Sequence, residues 1–343
     1  MIPVSVITGF LGSGKTTLLA HLLRDPAMGR SAVIVNEFGE IGLDHDLIET
    51  SDESFVRLST GCLCCNVRSD LVLTLGDLAA RRAAGSVPQF ERVVIETTGL
   101  ADPAPILHAL MTDRDLAEVY ALDGVVTTVD ALAGLSTLEA HEESRRQAAV
   151  ADRIVLTKTD LPGAEVDALR TRLAAINPGA PLLPAVRGAI APAALFDTGL
   201  GDLTARRADV SAWLADEAAA AAHGHAHPRH RDDITACCVV REEPLHAVTL
   251  ALLLSALAEN FGADLLRLKG IVQVAERPDA PAVIHGVQHV YHAPVWLPRW
   301  PSADRRTRIV LIGRNLRESW LRTLIDLLDA EVAEEMARRK DEG

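Results

Sequence analysis

The chain is poor in aromatic residues, which make up only 3% of its 343 positions, so its cores must be built from Leu, Val, Ile and Ala. It also lacks an apolar run of membrane-spanning length. The longest, around Ala247 to Ala258, is interrupted by Thr249 and Ser255 and falls short of the roughly 18 residues a span needs. Positive charge is the minority sign: the formal net charge is −13. That balance argues against a nucleic-acid partner, whose phosphates demand clustered Lys and Arg, and it leaves carboxylates available for cations. The first strand-like run begins at Ile2, so no signal peptide is expected, and no sequence repeat is visible. The expected compartment is therefore the cytoplasm, with no membrane partner. Five cysteines in a reducing compartment more often bind metal than pair as disulfides. What is present is ordinary globular composition, 48% hydrophobic and 24% charged, over a length for which two domains are the natural prior.

Residues 9 to 17 fill the phosphate-loop pattern G-x-x-x-x-G-K-[ST] with Gly9, Gly14, Lys15 and Thr16. The apolar run Val4–Ile7 precedes it and the helix-like run Thr17–Leu23 follows at once, which is the strand–loop–helix context the motif requires. Glycines let the backbone curl so that the N–H groups of Gly12, Ser13, Gly14, Lys15, Thr16 and Thr17 can face a phosphate. The helix N-terminus adds its dipole, and Lys15 adds a point charge for the outer phosphates. Thr16 offers a hydroxyl to Mg²⁺. The expectation is a bound nucleoside triphosphate.

Along the first 200 or so residues, β-rich apolar runs alternate with helical patterns. The runs are Val4–Ile7, Ala32–Val35, Phe55–Leu58, Arg92–Ile95, Gly124–Val129 and Arg153–Leu156. Helical patterns include Asp70–Ala84, Ala104–Met111 and Ser144–Ala149. Such alternation predicts an α/β domain with a mostly parallel sheet, here a P-loop NTPase domain over 1–205. Residues 206–233 read as an Ala-rich helix (Ala208–Ala222) followed by a His-rich linker. A second, small α+β domain is expected over 234–330. Its strands are Ile234–Val240, Leu265–Ala275, Ala282–His285, Gln288–His292 and Thr307–Ile312, with helices at Leu245–Asn260 and Glu318–Leu328. A charged tail, 331–343, closes the chain.

Glu96-Thr97-Thr98-Gly99 follows the apolar run Val93–Ile95, where P-loop proteins carry an acid that orients Mg²⁺ through its waters. Gly99 can approach the γ-phosphate and act as a hinge. Thr157-Lys158-Thr159-Asp160 matches the [NT]-K-x-D pattern that reads guanine. The Asp160 carboxylate can accept from the ring N1–H and the exocyclic amine, a pair adenine does not present, so GTP is expected over ATP. Gly61-Cys62-Leu63-Cys64-Cys65 places three thiols within one short stretch. Thiolates suit Zn²⁺, with Co²⁺ and Cu⁺ as competitors, and three sulfurs leave a fourth position for another ligand or for an open site. Glu37, Glu40 and Asp44 are candidates for water positioning, metal ligation or relay, and Glu37, closest to a strand end, is the favoured one. Glu40 and Asp44 read equally well as solvated loop acids. The tract His223, His225, His227 and His230 reads equally as loose metal ligand or solvated linker. Cys237 and Cys238 fall on opposite faces of a strand and read as core cysteines.

Taken together, Gly9–Thr17, Asn36–Asp44, Gly61–Cys65, Glu96–Gly99 and Thr157–Asp160 resemble the CobW-type metallochaperones, a family of P-loop GTPases related to the HypB and UreG proteins. In the second half, Leu265–Gly270, Gly286–Gln288 and Arg308–Gly313 resemble that family's C-terminal domain. The resemblance implies a GTPase, with Lys15, Glu37 and Glu96 as catalytic candidates, that uses Mg²⁺ with GTP. It also implies a Zn²⁺ or Co²⁺ cargo carried at Cys62, Cys64 and Cys65 and delivered to a client metalloprotein. Thr157 departs from the Asn of many GTPases. No arginine finger is assignable, so intrinsic turnover is expected to be slow, and a homo-oligomer is left open. Two other readings stay open: a metal-responsive regulator that barely hydrolyses GTP, and a P-loop kinase.

Overall fold

The computed structural model describes residues 1–35, 56–59, 67–196, 234–262 and 264–341. The chain divides into two compact units, Met1–Asp209 and Val210–Gly343.

The first unit is wound around a seven-stranded sheet. Its strands are β1 (Ile2–Gly9), β2 (Ser31–Val35), β3 (Val56–Ser59), β4 (Arg92–Glu96), β5 (Tyr120–Asp130), β6 (Arg153–Thr157) and β7 (Leu182–Ala185). The spatial order is β3-β2-β4-β1-β5-β6-β7, and every pairing is parallel. A parallel sheet is covered on both faces, and its strands accordingly read as unbroken apolar runs. Val4, Val6 and Ile7 of β1 are fully buried. The connecting helices are α1 (Lys15–Leu22), α2 (Val67–Ala83), α3 (Ala104–Thr112), α4 (Arg114–Val119), α5 (Gly134–Ala140), α6 (Glu142–Val150), α7 (Val166–Ile176) and α8 (Pro192–Leu195). On one face, Leu18, Leu19 and Leu22 of α1 pack with Ile7, Val94, Val126 and Val155. Because side chains alternate along a strand, Thr127 points to the other face, where its hydroxyl meets α6.

Register brings the loops together. Ile7 lies beside Glu96, Gly9 beside Thr128, and Asp130 beside Thr157. The carboxyl ends of the four central strands therefore share one edge, the place where open α/β sheets bind ligands.

The second unit is an antiparallel sheet with two helices. Its strands are β8 (Thr235–Arg241), β9 (Leu265–Val274), β10 (Arg277–Val287), β11 (Val290–Tyr291), β12 (Val295–Trp296) and β13 (Thr307–Gly313). The order is β11-β10-β9-β13-β8, with β12 also on β10. Helices α9 (Ala247–Phe261) and α10 (Glu318–Asp341) supply Leu250, Leu253, Leu257, Leu321 and Ile325 to a core with Leu268, Ile309 and Leu311. Cys237 is buried in that core, while Cys238 is only partly covered.

Two expectations are corrected here. Gln288 is not in a strand: it has φ +52° and stands in the turn between β10 and β11. The last helix, expected to end near Leu328, runs from Glu318 to Asp341 as α10. Val332 extends the buried stripe of Leu321 and Ile325, and a Glu335–Arg338 pair at 3.5 Å follows on the exposed side. The expected helix Ala208–Ala222 and the His223–His230 tract lie outside the described residues.

Candidate functional site

β1 ends at Gly9 with φ +145°, and a β-carbon there would lie 2.3 Å from Thr128 Oγ1 and 2.5 Å from the Thr128 carbonyl oxygen. Only glycine fits that approach. Gly12 and Gly14 also take left-handed conformations, at φ +70° and +90°. Gly14 is the N-cap of α1 and brings no capping side chain, so the helix start faces the loop with backbone alone. Ser13 Oγ hydrogen-bonds Thr128 Oγ1 at 2.6 Å, which ties the loop to β5. Thr17, one residue into the helix beyond Thr16, is exposed.

Lys15 is buried, and its Nζ donates to the carbonyls of Gly9 at 2.9 Å and Phe10 at 3.1 Å. Burial holds its pKa below the ordinary lysine value, while the nearby Glu96 carboxylate works in the opposite direction. Thr16 Oγ1 donates to Glu96 Oε1 at 2.7 Å. A hydroxyl and a buried carboxylate brought together at the loop form a hard oxygen donor set of the kind Mg²⁺ takes. The segment after β4 is held close: Thr97 Oγ1 donates to Thr8 Oγ1 at 2.8 Å, and Gly99 backs directly onto Leu11.

The third side of the site comes from the end of β6. Thr157 Oγ1 donates to the Ser13 carbonyl at 2.7 Å. Lys158, at φ +57°, reaches over the phosphate loop to the Gly12 carbonyl at 2.9 Å and pairs with the Asp130 carboxylate. Asp130 also accepts from Leu132 N at 2.8 Å. Asp160 is exposed beyond it.

The structure thus gathers Gly12, Ser13, Gly14, Lys15, Thr16, Glu96, Gly99, Thr157 and Lys158 around one loop. Glu37, Glu40, Asp44, Cys62, Cys64 and Cys65 lie outside the described residues. Among the described residues, no group of three or more His, Cys, Asp or Glu side chains could hold a metal ion. No helix among them is long and apolar enough to cross a membrane. Motif reading missed Thr128, Asp130 and Gln147. An acid at the end of β5 is a signal that could have flagged Asp130, but nothing in the local sequence singles out Gln147.

Comparison with known proteins agrees with this geometry. The profile of the CobW/HypB/UreG nucleotide-binding domain matches residues 3–184, and that of the cobalamin synthesis protein cobW C-terminal domain matches residues 234–328. The zinc chaperone YjiA of Escherichia coli (strain K12) is 34% identical over 323 residues, covering 94% of this chain and 96% of the relative. The zinc chaperone CobW of Pseudomonas aeruginosa is 31% identical over 357 residues, covering 93% and 89%. The crystal structure of Zn(II)-bound YjiA GTPase from E. coli matches with a TM-score of 0.70 at 29% identity, covering 95% of this chain and 98% of that one. Phosphate loop, parallel sheet and antiparallel C-terminal unit therefore come together for one reason: the chain belongs to the CobW family of P-loop GTPases.

Proposed function

We propose that this protein is a GTP-hydrolysing metallochaperone that carries zinc on Cys62, Cys64 and Cys65 and delivers it to a client metalloprotein. The course of the described strands is the observation that supports the reading. β2 and β3 run parallel to β1, so Val35 and Ser59 end at the edge where the phosphate loop starts, and Cys62 follows Ser59 almost at once in the chain. Relatives named as zinc chaperones support zinc as the cargo, and Co²⁺ is the second metal that suits such thiolates.

In this reading the amides of Gly12, Ser13, Gly14, Lys15, Thr16 and Thr17 cradle the phosphates, and the Lys15 charge serves the outer ones. Thr16 and Glu96 would hold Mg²⁺, which when bound neutralises charge on the phosphate oxygens. Glu37 positions water, and Gly99 offers its N–H toward the γ-phosphate. Asp160 reads guanine while the Lys158 stem, fixed at Gly12 and Asp130, lies along the base. Phosphoryl transfer depends on positioning and charge stabilisation, and without an assignable arginine finger the intrinsic rate is slow. A GTPase domain over 1–205, a helix and His-rich linker over 206–233, a C-terminal domain over 234–330 and a cytoplasmic location belong to the same proposal.

The test compares zinc content and affinity of the GTP-bound wild type with a Cys64→Ala, Cys65→Ala variant. Loss of stoichiometric tight zinc with GTP binding intact is expected. Retention of that zinc by the variant would overturn the site assignment.

A further inference from the structure

We propose that Gln147 is a positioning residue for hydrolysis, holding the segment after β4 against the phosphate loop from helix α6. The inference rests on the GTPase reading above. Gln147 is completely buried. Its Nε2 donates to the Gly99 carbonyl at 3.3 Å and the Ala101 carbonyl at 3.0 Å. Its own backbone carbonyl accepts from Thr127 Oγ1 at 2.8 Å, which anchors this turn of α6 to β5. Neighbouring Arg146 extends the grip: it donates to Asp102 Oδ2 at 3.0 Å and to Glu142 Oε1 at 2.6 Å. Asp102 in turn accepts from the N–H of Ala104, the first residue of α3, at 2.9 Å.

The same helix touches the phosphate loop. His141, its N-cap residue, stacks on the ring of Phe10 with centroids 4.5 Å apart and planes at 29°. Gly99 closes the circuit, since its Cα side faces the backbone of Leu11. One helix therefore holds both loops that border the phosphates. Tying the carbonyls on either side of Leu100 sets the course of the segment, and with it where Gly99 presents its N–H.

The energetics favour a specific role for the amide. Among the described residues no donor reaches Gln147 Oε1, although the atom is buried. An unpaired buried acceptor is a cost that an apolar side chain would not carry, and the two Nε2 bonds to Gly99 and Ala101 are what offset it. The residue is explained by what its Nε2 holds.

The experiment measures kcat and KM for GTP with Mg²⁺, GDP affinity and Tm for the full chain, for Gln147→Leu and for Arg146→Met. For Gln147→Leu, kcat is expected to fall about tenfold or more with GDP affinity nearly unchanged, because misplacing a positioned group costs rate rather than ground-state binding. Arg146→Met should show the same split with a smaller loss. A purely structural residue would lower Tm while kcat and GDP affinity stay put or fall together, and that result overturns the proposal. If Gln147→Leu does not fold, Arg146→Met decides, and an unchanged kcat there is equally fatal. A wild type that hydrolyses no GTP overturns the GTPase reading and this inference together, whereas an active wild type matched by Gln147→Leu overturns only the inference.

Discussion

A β-carbon built on Gly99 would lie 2.7 Å from the Leu11 nitrogen and 2.8 Å from its Cα, whereas one on Gly12 meets nothing within 4 Å. The two glycines are thus required for different reasons, one for space and one for its φ of +70°. Backbone cannot swing aside as a long side chain can, so Gly99→Ala must displace either the phosphate loop or the segment after β4. Overpacking of this kind costs about 1–3 kcal/mol. Gly12→Ala pays only left-handed strain, about 1–2 kcal/mol. The expected outcome is that Gly99→Ala weakens GDP binding far more than Gly12→Ala at a similar drop in Tm. Equal affinity losses measured by titration would contradict the close-approach account. Neither distinction is legible in the sequence, where both positions read simply as Gly.

Helices and strands whose apolar spacing is strong are found where periodicity places them, and the departures have local causes. Gln288 was beyond the reach of periodicity because a single left-handed residue turns the chain, and no glycine marks it. α10 outran its expected end because Ala, Glu, Arg and Lys are good helix formers and Val332 continues the buried stripe. The connection between β12 and β13 shows how a local cluster makes an element sensitive to pH. Asp304 accepts from Arg306 Nε at 3.0 Å and Nη2 at 2.9 Å, and from Arg308 Nη1 at 3.1 Å. The Arg306 hydrogen bonds are the main reason its pKa falls from 3.8 to about 2, with burial opposing and the charge of Arg308 assisting. A carboxyl depressed in the folded state contributes stability above its unfolded pKa and loses it as pH falls through the folded one. Stability of the second unit should therefore decline between pH 3.8 and about 2 more steeply in the wild type than in Asp304→Asn. Urea midpoints across that range check it, and parallel curves would remove Asp304 from the account.

For the molecule as a whole, the proposed GTP and zinc sites must obey linkage. If GTP tightens zinc binding by some factor, zinc tightens GTP binding by the same factor, typically about 5–150-fold for coupled sites. Calorimetric titration of a non-hydrolysable GTP analogue with and without zinc is expected to show that gain, and identical affinities would sink the coupling. The sequence by itself determined the phosphate-loop pattern, the acid after β4, the Thr157–Asp160 pattern and the α/β and α+β character of the fold. Each of these is local: a spacing of glycines, a period of apolar residues, a short run following a strand. Only the tertiary structure decided that Gly9 is pressed against Thr128, that Asp130 holds Lys158, and that α6 joins Phe10 to Gly99 through His141 and Gln147. These contacts connect residues far apart in the chain. They exist because parallel register brings several strand ends to one edge, and register is a property of the assembled sheet. The loop pattern was therefore legible in the sequence, while the side chains that hold the loop in place were not.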